Sequence, residues 1–223
     1  MDYKSQFIAF MARAGALTFG DFVTKSGRNT PYFVNTGKYS QGEQIAQLGR
    51  FYADCIMDNV KIAPGEDLVL FGPAYKGIAL AVATSIALAG RGVNISYCFN
   101  RKEVKDHGEG GALVGHKLAQ GDRVLIIEDV ITAGTAVREV LPILKGAGAV
   151  IEGLVISVDR MERGTGTRTA IQEVWEEHKI PTFPIVTVRD ILSSLHNTPL
   201  DGKILIDDEI AARMRAYMSE YCV

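Results

Sequence analysis

Two acids stand side by side at Glu128 and Asp129, and four small residues, Thr132, Ala133, Gly134 and Thr135, follow shortly after. Adjacent carboxylates can hydrogen-bond a pair of neighbouring hydroxyls, or help hold a divalent ion that a phosphate ligand already carries. Small residues opening a helix present unpaired backbone N–H groups and a helix dipole that favour an anion, and threonine hydroxyls add donors. One loop therefore offers an acidic end for a diol and a donor-rich end for a phosphate. A ribose 5-phosphate has both. The plain alternative is a strand-to-helix turn with Thr135 as N-cap, a common arrangement that Thr-x-Gly-Thr alone would satisfy. The apolar run Val124 to Ile127, then two acids, then Thr-Ala-Gly-Thr is more specific and favours binding. The competing phosphate loops are missing: there is no Gly-x-x-x-x-Gly-Lys-Ser/Thr, and Gly164-Thr-Gly166-Thr-Arg-Thr169 lacks its third glycine.

Three further segments bear on the same chemistry. Arg101-Lys-Glu-Val-Lys-Asp-His-Gly-Glu-Gly-Gly111 places Arg101, Lys102, Lys105 and His107 beside three glycines. Such a run is often a solvated face. At a strand end it also reads as a lid whose cations close over a pyrophosphate and exclude water. Gly72-Pro-Ala-Tyr-Lys-Gly77 is either a Pro-Gly turn or a loop whose backbone donors approach that pyrophosphate, with Lys76 as a point charge. Arg160, in Asp159-Arg-Met-Glu-Arg163, is either a surface ion pair or a bidentate partner for a ligand carboxylate. Phe33 offers an aromatic face to a planar ring. His116, His178 and His196 have no metal-ligand spacing and read as structural, and Trp175 reads as core.

These residues need strands and helices to aim them. Leu68 to Phe71, Asn94 to Phe99, Val124 to Ile127, Val150 to Val158 and Phe183 to Val188 read as strands. Helices are expected over Tyr3 to Ala14, from about Gly77, over Thr135 to Lys145, and over Thr169 to His178. The strands are continuously apolar, so the expected fold is α/β, with a mostly parallel, Rossmann-like central sheet flanked by helices. Such sheets place ligands at the carboxyl ends of their strands. The piece from Gly15 to Gly42, with Pro31 and five glycines, reads as a turn-rich cap over the sheet edge.

The bulk numbers agree. A chain of 223 residues with 47% hydrophobic and 22% charged residues suits a single globular domain spanning 1–223, residues 1–42 forming the cap. A net charge of -2, both signs interleaved, argues against a nucleic-acid partner held through the overall field. Cys55, Cys98 and Cys222 are scattered and suit a reducing cytoplasm. No targeting segment is apparent at the N-terminus. The apolar stretch Ile78 to Ala89 is shorter than the roughly 20 residues that span a bilayer, so no membrane role is expected.

The element from Val124 to Thr135 resembles the signature of the type I phosphoribosyltransferases. Phe71 to Gly77, Tyr97 to Gly111, Lys25-Ser-Gly-Arg28 and Pro31-Tyr-Phe33 resemble the orotate phosphoribosyltransferases among them, in the right order along nearly the whole chain. The resemblance implies transfer of ribose 5-phosphate from 5-phospho-α-D-ribose 1-diphosphate (PRPP) to orotate, a step of de novo pyrimidine synthesis, with Mg2+ carried by PRPP near Glu128 and Asp129. It implies PRPP contacts from Lys25, Tyr75, Lys76, Arg101, Lys102, Lys105, His107, Glu128, Asp129, Val130, Ile131, Thr132, Ala133, Gly134, Thr135 and Ala136. It puts orotate against Phe33, Val34, Thr132 and Arg160, and gives catalytic roles to Lys102, Lys105, His107 and Asp129. It also implies a homodimer in which the lid reaches the neighbouring subunit's site. The chain departs from the family pattern at Glu128, often Asp, and at Val34, where a second phenylalanine is usual. Two alternatives stay open: transfer to another base, and a non-enzymatic regulator that senses PRPP.

Overall fold

The structure is a computed structural model and describes residues 2–24, 27–63, 68–102, 112–131, 134–164 and 166–223. Helix α1 (Tyr3–Arg13) starts where the Asp2 carboxylate accepts the Ser5 N–H at 2.7 Å. The turn-rich reading of the next segment is corrected. Strands β1 (Leu17–Val23) and β2 (Asn29–Val34) pair antiparallel as a separate two-stranded sheet. Gly20, at φ +150°, lies in the register shift between Phe19 and Phe22, so a glycine that suggested a turn serves a bulge instead. A short 3-10 turn (Thr36–Lys38) follows.

Helix α2 (Gly42–Asn59) had no counterpart among the expected elements. Its signal is present: Leu48, Tyr52, Cys55 and Ile56 recur at helical spacing and all are buried. The Gln44 side chain accepts the Ser40 and Gln41 N–H groups at 3.0 and 3.1 Å, which fixes the start.

The α/β part then runs β3 (Leu68–Gly72), α3 (Lys76–Ala89), β4 (Ser96–Asn100), β5 (Leu113–Gly115), β6 (Arg123–Ile127), α4 (Thr135–Gly146), β7 (Val150–Asp159), α5 (Ala170–His178) and β8 (Thr182–Thr187). Helix α6 (Val188–Leu195), a minimal hairpin of β9 (Pro199–Leu200) and β10 (Lys203–Ile204), and α7 (Asp208–Tyr221) complete it. The strand order is β5-β4-β3-β6-β7-β8, parallel throughout except for β5, which lies antiparallel on β4. The expected parallel sheet is observed, with β5 as its unforeseen edge.

Each central strand feeds two cores by alternation. Leu68, Leu70, Leu125 and Ile127 join α1, α2, α3, α6 and α7 on one face. Val69, Phe71, Val124 and Ile126 meet Val137, Val140, Leu141 and Leu144 of α4 and Val174 of α5 on the other. Trp175 was expected in a core and is half exposed; the α5 face that is buried carries Ala170 and Val174, and Lys179 lies over the indole. Among the described residues, no helix is long and apolar enough to cross a membrane.

One close approach matters for the site. A Cβ added to Gly72 would lie 2.2 Å from the Gly77 carbonyl oxygen, and one on Gly77 would lie 2.8 Å from the Ile127 oxygen. Only bare backbone lets the end of β3 pass so near the start of α3. Gly72→Ala is therefore expected to destabilise the protein by about 1–3 kcal/mol or more, the usual scale of overpacking. Denaturant unfolding measures it, and an unchanged midpoint would show that the two segments do not pass this closely.

Candidate active site

The sheet reverses its building direction between β3 and β6, and the loops leaving those two strands flank that switch point, where open α/β sheets bind ligands. β6 passes directly into Glu128 and Asp129. The chain past them stays stitched to β7: the Glu128 N–H donates to the Val155 carbonyl at 3.0 Å, Ser157 donates its N–H and hydroxyl to the Asp129 carbonyl at 2.9 and 2.5 Å, and Val130 bridges Val158. From the other side the buried Tyr52 hydroxyl donates to the Glu128 carbonyl at 2.7 Å. The two acids are thus carried on fixed backbone.

Both are nearly buried, and their environments differ. Glu128 turns back so that Oε1 accepts the Asp129 N–H at 2.9 Å. Asp129 Oδ1 accepts the Val130 N–H at 2.7 Å, while Oδ2 accepts Lys76 Nζ at 2.7 Å and the Thr36 hydroxyl at 2.6 Å. Burial pushes the Glu128 carboxyl up to about 8; the Asp129 N–H works against this, and the Asp129 charge adds to it. Burial also works to raise Asp129, but the hydrogen bonds from Lys76 and Thr36, the Lys76 charge and the Val130 N–H outweigh it and hold Asp129 below its ordinary value.

Beyond the acids, Gly134 caps α4 in a left-handed conformation with φ +69°, and Thr135 is the first helical residue, so Thr135 is not the N-cap of the plain reading. The first turn of α4 carries no acid to repel an anion from this helix N-terminus. Across the switch point, Tyr75 stands exposed at the N-terminus of α3, and the Ala74 N–H is held by the buried Asn100 side chain at 2.9 Å. This bond ties the loop after β3 to the end of β4. Arg101 continues from β4, its N–H bonded to the Ala112 carbonyl, and Lys102 pairs with Glu139 of α4 at 3.2 Å.

Arg160, at the end of β7, is not a surface residue. Its guanidinium lies over the Tyr32 ring at 4.5 Å and bonds Glu162 Oε1 through Nε at 2.9 Å and Nη2 at 2.5 Å. Tyr217 of α7 and Tyr32 donate to the same oxygen at 2.8 and 3.3 Å. Phe33 is half exposed and stacks on Phe22, whereas Val34 packs toward the larger core. Ile131 packs on the other core.

Tyr75, Lys76, Arg101, Lys102, Glu128 to Ile131, Gly134 to Ala136 and Arg160 therefore gather at the carboxyl ends of four neighbouring strands. Lys25, Lys105, His107, Thr132 and Ala133 lie outside the described residues. Reading the sequence missed Thr36, Tyr52, Asn100, Ser157 and Glu162. Only Ser157 advertises itself, as a hydroxyl interrupting an apolar strand.

The family model of the phosphoribosyl transferase domain matches residues 35–190. The chain belongs to the phosphoribosyltransferase family. It is 54% identical to an orotate phosphoribosyltransferase of Clostridium beijerinckii over 98% of this chain and 97% of that one. It is 44% identical to one from Neisseria meningitidis serogroup C over 100% and 99%. A solved orotate phosphoribosyltransferase of Francisella tularensis superposes with a TM-score of 0.84 at 34% identity, covering 98% of this chain and 100% of that one. The orotate-type resemblance is therefore supported at full length, and the sheet topology is that of this family.

The raised Glu128 carboxyl has a consequence for this phosphoribosyltransferase fold. A carboxyl whose folded value lies above its unfolded one contributes stability that is present below the ordinary carboxylate range and is lost as pH rises through about 8. The metal-free protein should weaken along that limb, and Glu128→Gln, which cannot ionise, should flatten it. Unfolding by denaturant at stepped pH tests this; matching slopes for both proteins would contradict it.

Proposed function

We propose that the chain transfers ribose 5-phosphate from PRPP to orotate, yielding orotidine 5′-monophosphate and pyrophosphate in de novo pyrimidine synthesis. The observation that carries this reading is the Glu128–Asp129 pair, set between the N-terminus of α4 and Lys76 at the switch point of the sheet. A diol, a 5-phosphate and a pyrophosphate each meet a group of the required kind there.

The chemistry needs no protein nucleophile. The bond from C1′ to pyrophosphate loosens before the base nitrogen arrives, so catalysis consists of positioning and of stabilising the leaving charge. Asp129 and Glu128 hold the ribose hydroxyls. The 5-phosphate sits on the backbone of residues 132–136 and the threonine hydroxyls. Lys76, Arg101, Lys102, Lys105 and His107 neutralise the departing pyrophosphate, with Tyr75 beside it. Orotate lies by Phe33, Val34, Thr132 and Lys25, its carboxylate meeting Arg160.

Mg2+ fits this site as an ion that arrives with PRPP. Among the described residues no group of three His, Cys, Asp or Glu could hold a metal, but the Glu128–Asp129 pair supplies two carboxylates. A magnesium ion typically takes one or two carboxylates and completes its shell with phosphate oxygens and water. When bound it neutralises negative charge on the pyrophosphate. The working form is proposed to be a cytoplasmic homodimer whose lid, residues 101–111, reaches the neighbouring subunit's site.

An ultraviolet assay with Mg2+, PRPP and orotate, run beside uracil, hypoxanthine and adenine, should show Mg2+-dependent loss of orotate absorbance only. Reaction with another base would retain the ribose site and remove the Arg160 assignment. Binding of PRPP without any reaction would favour a regulator. In the same assay Lys105→Ala is expected to cut turnover by about 100-fold or more, the scale of a lost transition-state charge contact, without changing the melting temperature. An unaltered turnover number would count against the lid.

A further inference from the structure

Asp129 has both carboxylate oxygens committed before any ligand arrives. Oδ1 takes the Val130 N–H, and Oδ2 takes both Lys76 and Thr36, while Lys76 also donates to the Thr36 hydroxyl at 3.1 Å. The transferase reading asks Lys76 to serve the pyrophosphate and Asp129 to serve the ribose, so their ion pair must loosen as substrate binds. Lys76 is free to leave, being a mostly exposed side chain, whereas the Asp129 carboxylate is almost wholly buried. A buried carboxylate oxygen stripped of its partners is costly.

Thr36 is the partner that can stay. Its backbone is held on both sides: the Asn35 N–H donates to the Ala16 carbonyl at 2.7 Å, and the Asn35 side chain accepts the Gly37 N–H at 3.1 Å. Thr36 lines a cavity of about 190 Å³ together with Lys76, Asp129 and Ser157. A hydroxyl has one O–H to give and lone pairs to spare. Here it gives the O–H to Asp129 and accepts Lys76.

We propose that Thr36 is a positioning residue for the transfer: it holds the Asp129 carboxylate in place while Lys76 exchanges Asp129 for the pyrophosphate. The lone pair that Lys76 vacates then faces the incoming ribose hydroxyls. The proposal rests on the transferase reading of the site. It adds to that reading a fixed point supplied by the turn after β2, the segment that joins the N-terminal hairpin to the catalytic acids.

Thr36→Val removes the hydroxyl at nearly constant shape, and Thr36→Ser restores it; Thr36→Ala replaces the valine variant should that one fail to fold. Steady-state kinetics of the full chain should show the PRPP KM raised roughly tenfold in Thr36→Val, the scale of one charge-assisted hydrogen bond, with kcat changed far less and Thr36→Ser close to wild type. Crystal structures of the ligand-free variants should show the Asp129 carboxylate turned in Thr36→Val and in place in Thr36→Ser. An unchanged PRPP KM, or an Asp129 carboxylate that keeps its place in Thr36→Val, overturns the proposal. If the wild-type chain turns over none of the four bases, the transferase reading fails by itself, and the ligand-free structures still decide whether Thr36 sets Asp129.

Discussion

Everything at this site follows from burying two adjacent carboxylates at the end of one strand. Both lose water and sit close together, so they cannot both stay ionised cheaply. The fold resolves the conflict by unequal partnership. Asp129 receives Lys76, Thr36 and a backbone N–H, while among the described residues Glu128 receives only the N–H of its neighbour. One acid is kept charged and the other is pushed toward its neutral form. A ligand that brings positive charge, or hydroxyls to share, relieves what the free protein has to tolerate.

The same constraint explains the surrounding backbone. The acids must project past the sheet, yet a loose extension would let them separate or reach solvent. Ser157 and Tyr52 therefore fasten the carbonyls of Asp129 and Glu128 to β7 and α2. The tight passage between Gly72 and Gly77 brings the first turn of α3, and with it Lys76, up to the same strand end. At the neighbouring strand Glu162, which accepts the Tyr217 and Tyr32 hydroxyls, holds the Arg160 guanidinium over the Tyr32 ring, a partly buried charge kept by partners.

Much of this was legible in the residues. Parallel strands buried on both faces read as unbroken apolar runs, and two acids directly after such a run mark a strand end. The hairpin of β1 and β2 was hidden because glycine signals a turn and a bulge alike, and Gly20 serves the bulge. Helix α2 opens on Gln41 and Gln44 rather than on a serine or aspartate cap, so its start was not marked. Trp175 was misplaced because periodicity gives a face but not which side faces inward. Thr36, Asn100 and Tyr52 escaped because their roles exist only once distant segments meet: Thr36 and Asp129 are 93 positions apart, and Tyr52 and Glu128 are 76 apart.

The alternation of the central strands reaches beyond packing. Val124 and Ile126 belong to one core and Leu125 and Ile127 to the other, so no core can dissolve without stripping one side of the strand that ends in the acids. The two hydrophobic layers share one set of strands, so loosening either layer is felt at the strand that carries the acids. Helices loosened on one side would uncover half of the strand that aims the acid pair. The geometry of the acid pair is therefore tied to the packing on both faces of the sheet.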